Sequence, residues 1–226
     1  MSASPSYGAF RALRNVTFAF LSGLALLSTP AFAEKLTVVV LGDSLTAGYG
    51  LPPEQGFVPQ LQAWLVTQGQ DVEVENAGVS GDTTAGGLSR LDWSLSPDTD
   101  ALIVNLGGND LLRGIDPASS AANLDRILRA AQERGLPVLL VGLKALNNYG
   151  PAYKAEFNAI YPALAAKFAV PLYPDYFGPL KSSGDQTMSL AKYMQPDGLH
   201  PNAEGVARVV SDLGPQVVEF LKQAQK

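Results

Sequence analysis

Leu36-Thr37-Val38-Val39-Val40-Leu41-Gly42-Asp43-Ser44-Leu45 decides the fold. Its first six residues are apolar or β-branched without interruption, which marks a strand buried on both faces of a parallel sheet. Gly42 permits a tight turn, and Asp43-Ser44 follows where a helix would begin. A serine lifted out of a sheet at a helix N-terminus sits among free N–H groups and the positive end of the helix dipole, where developing negative charge is favoured. The same two residues also serve as ordinary helix caps, so this segment alone leaves nucleophile and cap both open. The turn lacks the second glycine of G-x-S-x-G and the lysine of a phosphate-binding loop.

Further runs of the same type occur at Val72 to Asn76, Ala101 to Leu106 and Pro137 to Leu143, with a weaker one at Val170 to Tyr173. Amphipathic stretches lie between and after them: Phe57 to Gln68, Asn123 to Arg134, Tyr153 to Phe168 and Pro201 to Lys222. This β-α alternation predicts a three-layer α/β/α domain on a five-stranded, mainly parallel sheet, with right-handed crossovers. Ligands of such sheets bind at the carboxyl ends of the strands. No repeat or linker divides the segment from Glu34 to Lys226.

Residues 1–33 read differently. Arg11 and Arg14 precede the apolar run Val16 to Ser28, and Thr29-Pro30-Ala31-Phe32-Ala33 ends in Ala-x-Ala. That is the layout of a cleavable secretory signal, and the run is short of the ~20 residues a spanning helix needs. A periplasmic or secreted protein without a stable membrane anchor is expected. The formal charge is −5 and there is no Lys/Arg run, which leaves no electrostatic footprint for nucleic acid. Cysteine is absent and His200 is the sole histidine, so thiolate and multi-histidine metal sites are excluded.

Three more segments carry chemistry. Asp197-Gly198-Leu199-His200-Pro201-Asn202 sets a carboxylate three residues before the imidazole. If His200 takes a proton from Ser44, Asp197 can hold its tautomer from the adjacent turn; the alternative is an Asp-Gly turn with His200 capping a helix that starts at Pro201. Gly107-Gly108-Asn109-Asp110 follows the third strand; its two glycines allow close backbone approach, and Asn109 offers an amide donor of the oxyanion-hole type, the alternative being a turn followed by an Asp110 cap. Asn76-Ala77-Gly78-Val79-Ser80-Gly81-Asp82 follows the second, where Gly81 can present a backbone N–H and Asp82 starts the next helix. Together these four segments fill the distinct roles of acyl transfer.

GDSL at Ser44, the Gly81 loop, GGND at Asn109 and DGLHPN at Asp197 and His200 resemble the blocks of the SGNH (GDSL) hydrolase family. GDSLTAGYG, SGDTTAGGLSRL, GGNDLLRG, NNYGPAY and FNAIYP extend the similarity over nearly all of residues 34–226, nearest to its bacterial periplasmic thioesterase/lysophospholipase and arylesterase branch. The resemblance implies a flavodoxin-like sheet and an acyl-enzyme mechanism. Ser44 would be the nucleophile and His200 the base. The Ser44 N–H, the Gly81 N–H and the Asn109 side chain would be oxyanion donors, and no metal or organic cofactor would be needed.

The resemblance further implies an acyl pocket in the loops Leu111-Leu112-Arg113 and Lys144 to Tyr149, with Leu111, Ala145, Leu146, Asn147 and Tyr149 as contacts. Relatives carry Leu-Pro near Ala145-Leu146, so this loop lacks a ring-stiffened residue. Expected substrates are aryl and short-to-medium acyl esters, with acyl thioesters and lysophospholipids as further candidates. On this placement Ala145→Leu would shorten the longest acyl chain accepted. Two other readings are a carbohydrate O-deacetylase and a non-catalytic binding protein; a polysaccharide platform would need exposed aromatics, and the one cluster, Tyr173, Tyr176 and Phe177, reads rather as core or rim packing.

Overall fold

The computed structural model describes residues 35–181 and 192–225; the expected secretory signal, residues 1–33, lies outside them. Strand β1 (Leu36–Gly42) contains the apolar run Leu36 to Leu41, and its last five residues are buried. It pairs in parallel with β2 (Val72–Gly78) on one side and β3 (Ala101–Asn105) on the other. β4 (Val138–Val141) and β5 (Leu172–Tyr173) extend the sheet in the same direction, giving the order β2-β1-β3-β4-β5. That order reverses between β1 and β3, the switch point at which flavodoxin-like sheets open a crevice.

Every residue of β3 and β4 is buried, as continuous apolar runs require. β2 departs from that expectation. Val72 and Val74 are buried while Glu73 and Glu75 are exposed, because an edge strand needs only one apolar face.

Among the described residues the helices are α1 (Ser44–Ala47), α2 (Phe57–Thr67), α3 (Thr84–Ser89), α4 (Leu91–Ser94), α5 (Gly108–Leu112), α6 (Pro117–Glu133), α7 (Gly150–Phe168) and α8 (Ala203–Leu221). α2 packs on α8, while α6 packs on α3 and α7. These two groups are the outer layers of the α/β/α sandwich. α6 starts six residues ahead of the amphipathic stretch, because Asp116 caps it by accepting from the Ala118 N–H at 2.9 Å and Pro117 fills its first position. α8 starts after Pro201, not at it. Asn202 caps it through the Gly205 N–H at 2.9 Å, and Pro201 pairs with Met194 in an isolated antiparallel bridge. None of the described helices is long and apolar enough to cross a membrane.

Candidate active site

Ser44 is the first residue of α1, directly past the end of β1. Asp43 is its N-cap, with the carboxylate accepting from the Leu45 N–H at 3.0 Å. Cap and serine are therefore adjacent residues with separate jobs. His200 arrives from the loop before α8, and its Nε2 lies 2.8 Å from Ser44 Oγ. Its Nδ1 lies 2.7 Å from Asp197 Oδ2. Asp197 Oδ1 meanwhile accepts from the N–H groups of Leu199 at 2.9 Å and His200 at 3.0 Å.

The hydrogen bond to His200 lowers the Asp197 carboxyl to about 2, helped by the two backbone donors. An ionised carboxylate only accepts, so Nδ1 carries the imidazole proton and Nε2 presents a lone pair to the serine hydroxyl. Tyr49 lies against the imidazole, ring centres 4.7 Å apart.

Asp43 behaves in the opposite way. Burial raises its carboxyl to about 6 against the pull of the Leu45 and Gly108 N–H groups. Gly108 has no room for a side chain, since a Cβ there would stand 2.9 Å from Asp43 Oδ2. The paired glycines after β3 thus serve the close approach that the sequence suggested.

Asn109 is the second residue of α5, and its Nδ2 donates to the Asp82 carbonyl at 2.9 Å. Gly81 has φ +88°, a left-handed conformation natural to glycine. Its carbonyl accepts from Arg113 Nη2 at 2.8 Å. Two expected caps do other work. Asp110 is buried and accepts from the Thr84 N–H, Thr84 Oγ1 and Ser120 Oγ at 2.8, 2.6 and 2.8 Å. Asp82 ion-pairs with Arg90, and Thr83 caps α3 in its place.

An apolar groove of about 210 Å³ opens beside Ser44, Asn109 and His200. Leu111 and Leu146 line it as expected, together with Leu112, Leu143, Phe177, Leu199, Lys144 and Lys181. Ala145, Asn147 and Tyr149 are not part of its lining. Ala145 is buried, its N–H held by Asn158 Oδ1 at 2.7 Å. Asn147 Oδ1 accepts from Lys154 Nζ at 3.1 Å, and the Tyr149 hydroxyl donates to the Leu112 carbonyl at 2.8 Å. Leucine at position 145 would thus overpack the interior, and the chain-length effect expected of it has no basis. Leu143, Phe177 and Leu199 are groove contacts that the sequence did not single out as such, since each comes from a different loop and no periodicity joins them. Tyr173 and Tyr176 are buried, so no exposed aromatic platform exists there.

The model of the GDSL-like Lipase/Acylhydrolase family matches residues 40–208. Esterase TesA of Pseudomonas aeruginosa is 40% identical over 203 residues, covering 89% of this chain and 98% of that protein. An arylesterase of Vibrio mimicus is 36% identical over 190 residues, covering 84% and 90%. The crystal structure of AlinE4, an SGNH-hydrolase family esterase, superposes with a TM-score of 0.67 at 41% identity, covering 83% of this chain and 97% of that one. By this match along most of its length, the chain belongs to the GDSL-like lipase/acylhydrolase family.

Proposed function

We propose that in this carboxylic ester hydrolase Ser44 is the nucleophile, His200 the general base and acid, and Asp197 the group that orients the imidazole. The observation that carries the assignment is the continuous relay of 2.8 Å from Ser44 Oγ to His200 Nε2 and 2.7 Å from His200 Nδ1 to Asp197. Ser44 Oγ attacks the ester carbonyl carbon as its proton passes to Nε2. The carbonyl electron pair becomes an oxyanion, which accepts hydrogen bonds from the Ser44 N–H, the Gly81 N–H and Asn109 Nδ2. The tetrahedral species collapses, the alcohol leaves with the proton from His200, and the acyl group stays on Ser44. Water, deprotonated by His200, then repeats the cycle and releases the acid.

The acyl portion occupies the groove lined by Leu111, Leu112, Leu143, Leu146 and Phe177. Its apolar walls suit unbranched short-to-medium acyl and aryl groups and offer few polar partners to a sugar. The Arg11/Arg14, apolar-run and Ala-x-Ala layout supports export, with removal of residues 1–33; N-terminal sequencing of the exported protein checks the cut.

Hydrolysis of p-nitrophenyl esters from acetate to palmitate tests the assignment. Ser44→Ala should lower kcat by at least about 10³-fold on every ester, the scale of losing a triad member. Activity within tenfold of the parent would remove Ser44 from the mechanism. A profile that falls off beyond medium chains supports the groove as the acyl site.

A further inference from the structure

Arg90 sits between α3 and α4, away from the groove lining, yet its guanidinium contacts both flanks of the Gly81 segment and the backbone that leads into Ser44. Nε donates to Asp82 Oδ2 at 2.6 Å and Nη1 to the Ala77 carbonyl at 2.8 Å. Nη1 also reaches Ser94 Oγ at 3.0 Å, and Nη2 donates to the Gly42 carbonyl at 2.8 Å. Ala77, near the end of β2, and Asp82 flank the loop that holds Gly81. Gly42 stands two residues before Ser44, and its carbonyl also accepts the Val79 N–H at 3.0 Å. One planar cation therefore pins both flanks of the donor loop to the backbone that leads into the serine turn.

The placement is partly shielded, with the side chains of Arg90 and Asp82 each 20% exposed. Bonds of this charge-assisted kind are stronger than neutral ones, and shielding from water strengthens them further. From the other side the same loop is held by Asn109 on the Asp82 carbonyl and Arg113 on the Gly81 carbonyl. The Asn109 contact matters twice, since that side chain is itself a proposed oxyanion donor. Shifting the loop would move two of the three donors together.

We propose that Arg90 is a positioning residue, which sets the Gly81 and Asn109 donors at the right distance from the Ser44 turn without touching substrate. The proposal rests on the reading of Gly81 and Asn109 as oxyanion donors. Donors stabilise the transition state only when already aimed at the position the oxyanion will occupy. A displacement of about 1 Å caused by a change remote from the chemistry can cost about 10²-fold. Lysine cannot replace this arginine, because a single ammonium on a flexible stem cannot span acceptors arranged around a planar fork.

The experiment compares Arg90→Lys with the parent and with Asn109→Ala, each assayed well below its own melting temperature. Arg90→Lys should lower kcat by about 10- to 100-fold with KM held within about threefold, the signature of an interaction made in the transition state. The rate at which a phosphonate ester labels Ser44 should fall by the same factor. Asp82→Asn, which keeps the shape and removes the charge, should show the same pattern at smaller size, and it decides the matter should Arg90→Lys not fold. A lower melting temperature with kcat within twofold would make Arg90 a structural staple only and overturn the proposal. Asn109→Ala separates the positioning role from the donor role. A large loss there beside a silent Arg90→Lys removes only the positioning role, whereas silence in both removes the donor reading beneath it.

Discussion

Ser44 and His200 each stand beside a carboxylate, and the two carboxylates occupy contrasting surroundings. Asp43 is 1% exposed, packed against the Gly108 backbone at the end of a buried sheet, and its carboxyl is raised to about 6 by burial. Asp197 has a third of its side chain exposed on a surface loop, and its carboxyl is lowered to about 2 by the imidazole it holds. The Ser44 turn inherits its geometry from the core, where every neighbour is fixed by close packing. The His200 loop makes its own geometry from local hydrogen bonds: two following N–H groups donate to Asp197, and the Gln195 N–H donates to the His200 carbonyl at 2.7 Å. Changes on the core side should therefore cost stability, and changes on the loop side should cost chemistry.

The largest expected effect breaks the loop side. Asp197→Asn keeps an oxygen for the Leu199 and His200 N–H groups but turns an amide toward Nδ1, favouring the tautomer that cannot accept from Ser44. kcat should fall by about 10⁴-fold, the scale found when such a carboxylate becomes an amide. A loss below tenfold would take Asp197 out of the relay. Next in size is a pair of glycines. A Cβ on Gly42 would lie 2.0 Å from Thr46 Oγ1 and 2.9 Å from the Asn105 carbonyl. Gly42→Ala should cost about 3 kcal/mol, the upper end for overpacking, and lower the melting temperature by roughly 6–12 °C. Gly198 has φ +67° and open space where a Cβ would go, so Gly198→Ala should cost only about 1 kcal/mol of left-handed strain. Equal melting temperatures for the two variants would contradict the contrast.

The same division explains what could be read from the sequence. The strand Leu36 to Leu41 with its Gly-Asp-Ser turn, and Asp197 three residues before His200, are local signals, and the structure brings the two together past the end of β1. The Gly107-Gly108 pair was legible because backbone crowding leaves few residue choices. The groove was not, because side chains in irregular loops follow no period: Leu146 faces it while Ala145 turns inward to Asn158 and Tyr149 reaches back to Leu112. Asp110 and Asp82 look like caps in sequence, yet tertiary partners claim them, Thr84 and Ser120 in one case and Arg90 in the other. The role of Arg90 depends on four acceptors scattered from Gly42 to Ser94, which no local motif encodes.

The smallest effect sharpens the comparison through pH. Asp43 binds its proton more tightly folded, at about 6, than unfolded, near 3.9, so its share of stability falls as pH rises through that window. Asp197 binds its proton less tightly folded, so its share is present above about 4 and lost as pH falls toward about 2. The windows lie on opposite sides of pH 4, which lets one variant isolate one carboxylate. Asn at position 43 keeps an oxygen for the Leu45 N–H and cannot titrate. Between pH 5 and pH 7 the parent should therefore lose about 1 kcal/mol more unfolding free energy than Asp43→Asn does, all other groups being common to both. Below about pH 3, where Asp43 is protonated in both states, the two curves should run parallel, because the Asp197 contribution is the same in each. Urea unfolding at pH 3, 5 and 7 measures this, and equal slopes between pH 5 and 7 would mean that the turn beside Ser44 is better solvated than its packing implies.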